Sequence, residues 1–227
     1  AWHHILAHEA THIALEAEAR ALGRNRWFTV NDETRSKALR QMEPEIRRIA
    51  RQGHSAERLA ALVSKLLEGA AGLLFNTPID MAIEARLARE LPVLREAQLL
   101  SLDTLAREAA ALSTHREIRQ ITPERILAVN DTLNAAAALF LRDLSGGALD
   151  YAEAYRPFDC LARAERLYAA YRDAEAEGIA PGQEYDLVDE FATQLGVRAW
   201  YAWQADSGPG GAAASEPPAQ SRKIDSP

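Results

Sequence analysis

The five residues His8-Glu9-Ala10-Thr11-His12 bring two imidazoles and a carboxylate within one helical turn. On a helix, positions four apart share a face, so His8 and His12 can point at a single ion. Neutral imidazole is a good zinc ligand, and two of them leave room for a third protein ligand and a water. Glu9 follows the first candidate ligand, where it can take a proton from that water as a general base. A metal in such a site lowers the pKa of the water and polarises a carbonyl. The spacing is that of His-Glu-x-x-His, and its chemistry is metal-assisted hydrolysis.

The setting of these residues sharpens the expectation. From Trp2 to Leu15, Glu9 is the only formally charged residue, and Trp2, Ile5, Leu6, Ala10, Ile13, Ala14 and Leu15 surround the histidines. That pattern predicts a helix buried nearly all round. Two imidazoles and a carboxylate in such a place are costly unless they are paired or bound to a metal.

The elements that must position them read as helices. Alanine, leucine, arginine and glutamate dominate the 227 residues, and β-branched runs are scarce. The expected fold class is mainly α, a multi-helix domain over 1–205 with a tail over 206–227, where Gly, Pro, Ala and Ser dominate. The first helix spans about 2–22 and stops at Gly23. Residues 26–30 form the only candidate strand. A polar helix follows from Glu33, disturbed at Pro44, and Ser55 caps another that reaches about Leu74. Thr77-Pro78 opens a new helix that ends before Pro92, followed by one over about 93–112. Thr122-Pro123-Glu124 starts a helix to about Leu144, and Gly146-Gly147 breaks it. Residues 157–177 are helical and stop at Gly178, and a last helix runs from about Glu184 to Trp203, with Gly196 a candidate break inside it.

Net charge is −7 with both signs interspersed, and no basic cluster mixed with aromatics appears, so a nucleic-acid footprint is not expected. No apolar run reaches the roughly 18 residues of a membrane span. The lone Cys160 can form no internal disulfide and reads as a small apolar helical residue; this fits a reducing, cytoplasmic setting.

The chain resembles the zincin metallopeptidases, more loosely their gluzincin branch. The likeness rests on His8-Glu9-Ala10-Thr11-His12 within the first helix and, more weakly, on a downstream acidic helix. It implies a Zn2+ cofactor, a peptide or protein substrate, Glu9 as catalytic base, and a glutamate on a later helix as third metal ligand beside His8 and His12. Glu84, in Asn76-Thr77-Pro78-Ile79-Asp80-Met81-Ala82-Ile83-Glu84-Ala85-Arg86, is the expected third ligand. Asp80, one turn earlier, reads as a carboxylate that orients a ligand or as an acid favoured by the helix dipole. Glu16 continues the histidine stripe, but His8 and Glu16 are about 12 Å apart along the axis, too far for one ion. Glu18 and Glu33 are less well placed. Zincins set a β-sheet ahead of the active-site helix, whereas one residue precedes Trp2 here. Either that sheet is missing from this sequence or the fold is a minimal helical variant.

The remaining polar residues read as structural. His3 and His4 lie at the helix start, His54 and His115 between helices. Tyr151 and Tyr155 carry hydroxyls that could stabilise an oxyanion, though packing is the expected role. Trp200, Tyr201 and Trp203 anchor the final helix. A di-iron carboxylate bundle would need a second Glu-x-x-His, which the chain lacks. The competing reading is a non-catalytic helical interaction domain with an accidental or structural metal motif.

Overall fold

A computed structural model describes residues 2–51 and 55–206. The element order is α1 (Trp2–Ala21), β1 (Arg26–Thr29), α2 (Asp32–Gln41), α3 (Glu43–Ala50), α4 (Ala56–Glu90), α5 (Arg95–Thr114), α6 (Arg116–Ile121), α7 (Glu124–Leu144), α8 (Leu161–Glu177), α9 (Glu184–Leu195) and β2 (Ala202–Ala205). Short 3₁₀ turns at Pro92–Leu94, Ala152–Phe158 and Arg198–Trp200 link some of them. The domain is mainly α. His54 and residues 207–227 lie outside the described residues.

The core forms where α4 crosses α7 and α9, with α8 against α7. Leu67, Leu74, Ile83, Leu133, Leu167 and Phe191 are fully buried there. α4 is one continuous helix of 35 residues with Pro78 inside it, not the two helices expected to divide at Thr77. Thr77 does not cap: its hydroxyl donates back to the Leu73 carbonyl at 2.7 Å. An interior proline costs about 3 kcal/mol. Leu74, Ile79, Met81 and Ile83, buried on both sides of Pro78, each contribute roughly 1.5–3 kcal/mol. Packing therefore outweighs the break.

By length and composition α4 is also apolar enough to cross a membrane, with mean hydropathy 1.4, although charged residues interrupt its apolar run. The central helix of a packed helical domain meets the same criterion.

β1 pairs antiparallel with β2, Phe28 opposite Trp203. β2 replaces the end of the expected last helix. Gly196, at φ +69°, stops α9 in a left-handed conformation that glycine adopts freely, and the chain turns into a strand. Trp200 and Tyr201 are buried as expected, but Trp203 packs from the strand against Phe28 and Tyr185. Asp159, in the left-handed region, separates the 3₁₀ turn that holds Pro157 from α8, so the expected helix over 157–177 starts at Leu161.

α1 contradicts the expectation of burial all round. Only His4 and Ala19 are fully covered, while Trp2, Leu6 and Ile13 are 69–81% exposed. The helix is inverted: it turns His4, His8 and His12 inward, with Ala7 and Leu15 packed on the core, and its large apolar residues outward. Of the burial expected all round, only the face carrying His4, His8 and His12 is covered.

Candidate metal centre

α1 packs on both α4 and α5. His4, His8 and His12 follow one another at four-residue steps and form a ladder on one face of α1. Asp80 and Glu84 form a shorter ladder on α4, also four apart. The ladders run in opposite directions, so His4 and His8 meet Glu84 while His8 and His12 meet Asp80.

The inner end is closed. Glu84 is 2% exposed and accepts from His4 Nε2 at 2.9 and 3.0 Å and from His8 Nδ1 at 2.8 Å. Gln98 of α5, equally buried, donates its amide nitrogen to Glu84 Oε2 at 2.7 Å and to the Glu84 carbonyl at 2.8 Å. A carboxylate with this many donors is held ionised. Burial opposes the charge, but the bonds from His4, His8 and Gln98 outweigh it and bring Glu84 down to about 2. An ionised carboxylate only accepts, so the hydrogen on the Glu84 side of His8 sits on Nδ1. His4 Nδ1 is buried without a partner among the described residues.

The outer end is open. His8 Nε2 and His12 Nε2 face each other at 3.1 Å, and Asp80 Oδ1 lies 3.2 Å from His12 Nε2 and 3.5 Å from His8 Nε2. The side chains of His8, His12 and Asp80 are 18%, 30% and 41% exposed. Zinc–ligand bonds of about 2.0–2.1 Å in a tetrahedron put neighbouring ligand atoms about 3.3–3.4 Å apart. The three observed edges bracket that value.

The electrostatics favour positive charge between the two ladders. Burial works against a charge on His8, but the hydrogen bonds and negative charge of Asp80 and Glu84 outweigh it and push the ring up to about 10. Asp80 is held below the usual carboxylate range: burial opposes its charge, and the hydrogen bonds to His12 and His8 prevail. The donor set of two imidazoles, a half-exposed carboxylate and an ionised carboxylate behind them suits zinc.

Among the expected site residues, His8, His12 and Glu84 share one cluster, with Glu84 2.8 Å from His8 Nδ1. The geometry divides the carboxylates differently from the sequence expectation. Asp80 faces the two Nε2 atoms that converge, whereas Glu84 faces His8 Nδ1 and His4. Glu9 projects from the flank of the ladder into a cavity of about 330 Å³ that His12 also lines, together with Trp27, Phe28, Phe75 and Glu16. Glu9 is exposed and has no hydrogen bond or ion pair among the described residues.

The other candidates are engaged elsewhere. Glu16 pairs with Arg20, Glu18 with Arg86, and Glu33 with Lys37. His3 and His115 are exposed. The Tyr151 hydroxyl donates to Asp103 at 2.5 Å. His4 and Gln98 escaped the sequence reading. The four-residue step from His4 to His8 was the one available signal for His4; nothing in the sequence singled out Gln98.

Comparison of the chain with protein-family models, curated proteins and solved structures gives no match.

Proposed function

We propose that this chain is a zinc-dependent hydrolase of peptide bonds, a helical relative in chemistry of the zincin metallopeptidases. The observation that carries the reading is the triangle of His8 Nε2, His12 Nε2 and Asp80 Oδ1, whose edges of 3.1, 3.2 and 3.5 Å suit one tetrahedral ion. These three residues would hold the zinc, which supplies an acidified water and a polarised carbonyl when bound.

The rest of the chemistry belongs to the protein's own groups. Glu84 fixes the hydrogen of His8 on Nδ1 and thereby leaves Nε2 to the ion. His4 and Gln98 hold Glu84 in place. Glu9, unpaired and beside His12 in the open cavity, accepts the proton of the attacking water and returns it to the leaving amine. The cavity that Glu9 and His12 share is walled by Trp27, Phe28 and Phe75, surfaces suited to an extended peptide.

Loading purified protein with one equivalent of Zn2+ and following a mixed peptide library by mass spectrometry tests this reading. Hydrolysis is expected with wild-type protein and its loss with Glu9→Gln at unchanged zinc content. A general acid–base group typically contributes 10²–10⁴-fold, so hydrolysis surviving within tenfold in Glu9→Gln removes that residue from the mechanism. Absence of zinc binding by wild-type protein would favour the non-catalytic reading.

A further inference from the structure

A second cavity, of about 300 Å³, lies between α4, α5 and α7. Leu73, Met81, Leu102, Phe140 and Leu141 form its apolar walls, and four alanines at 106, 109, 137 and 138 keep it open. Asp80, Glu84, Leu105, Asn134 and Tyr155 also line it. The cavity therefore touches the same two carboxylates that meet the histidine ladder, on the side away from the Glu9 cavity.

Its chemistry selects the occupant. Thr77 also lines it, but its hydroxyl is spent on the Leu73 carbonyl. A peptide backbone laid inside would find the Asn134 amide and the Tyr155 hydroxyl and little else, leaving most of its N–H and C=O groups without partners, at a cost of roughly 1–3 kcal/mol each. An acidic side chain would face two carboxylates. A basic one would find those carboxylates already engaged by His4, His8, His12 and Gln98. The volume is at the lower end for a ligand site and suits one side chain better than a whole molecule.

We infer that this cavity receives a large apolar side chain, of leucine, methionine or phenylalanine size, from the residue beside the scissile bond of a peptide substrate. The inference rests on the peptidase reading and adds its specificity. The backbone stays outside, against the His8–His12–Asp80 face, while the side chain enters between α4, α5 and α7. Each methylene accommodated is worth about 10–200-fold in discrimination, so alanine at that position is a poor substrate.

Two measurements on the full chain test this. In the first, metal-free ¹⁵N-labelled protein is titrated with toluene as an apolar probe. Saturable shifts are expected at the amides of Ala106, Ala109, Ala137 and Ala138, and none of these in Ala109→Phe. Wild-type protein that shows no such shifts overturns the proposal. In the second, zinc-loaded protein is given peptide pairs that differ only in Leu, Lys, Glu or Ala beside the scissile bond. A kcat/KM ratio of at least tenfold for Leu over each of the others is expected, falling toward 1 in Ala109→Phe. Cleavage without preference sinks the proposal and leaves the peptidase reading standing. Toluene binding with no cleavage of any peptide sinks both.

Discussion

The division of labour between Asp80 and Glu84 can be tested by replacing them one at a time. Asp80 Oδ1 stands 3.2 and 3.5 Å from the two facing imidazole nitrogens, close to the edge of a zinc tetrahedron. Glu84 stands 2.8 Å from His8 Nδ1, the nitrogen on the far side of that ring. A carboxylate behind a ligand typically changes metal affinity 10–100-fold, about 1.4–2.7 kcal/mol. Glu84→Gln, which keeps the shape and removes the charge, is expected to weaken zinc binding within that range. On the proposed assignment Asp80→Ala removes one of three protein ligands and is expected to weaken it more than about 100-fold. Competition against a chromogenic chelator at pH 7.5, on variants whose helical circular dichroism matches wild type, reads both numbers. A larger loss in Glu84→Gln than in Asp80→Ala would place Glu84 in the coordination sphere and refute the assignment.

Further predictions concern proton linkage and the support beneath the site. In metal-free protein, His8 is raised from 6.5 to about 10, so its contribution to stability is complete below pH 6.5 and fades as pH climbs through 10. Glu84 is lowered from 4.5 to about 2, so its contribution is complete above pH 4.5 and fades as pH falls toward 2. Thermal melts with a chelator present should therefore peak between about pH 4.5 and 6.5, and zinc should lift the alkaline arm, because the metal takes the place of the His8 proton. An alkaline arm that is the same with and without zinc contradicts this. For the same reason zinc affinity should rise with pH across 6–9, up to tenfold per unit; a flat profile by calorimetry would show that no proton is displaced. Gln98→Leu leaves Glu84 short of a donor in a buried site and should cost about 1.5–3 kcal/mol of stability by urea unfolding, against less than 0.5 kcal/mol if the network carries no weight.

The sequence carried much of this architecture, and its failures have physical causes. Helical composition and the glycine stops at Gly23 and Gly178 located most elements, because local propensity and positive-φ caps act within a few residues. Pro78 misled because its local signal is a helix start, while the burial that keeps α4 continuous comes from α7 and α9. β2 was hidden because a four-residue strand after a helix has too short a period to be heard.

For the site, helical spacing alone put His8 and His12 on one face. Which carboxylate meets them depends on how α1 crosses α4, a tertiary fact. The ladders run antiparallel, so Asp80 falls opposite His12 and Glu84 opposite His4. The exposure of Trp2, Leu6 and Ile13 was equally beyond reach, since hydrophobic patterning assumes that the greasy face is the buried one.

The most direct test is anomalous scattering at the zinc edge from crystals grown with one equivalent of Zn2+. A single strong peak is expected about 2 Å from His8 Nε2, His12 Nε2 and an Asp80 oxygen, with Glu84 still bonded to His8 Nδ1. A peak held instead by His4, Glu84 and His8 Nδ1, or no peak on the histidine ladder, would contradict the assignment.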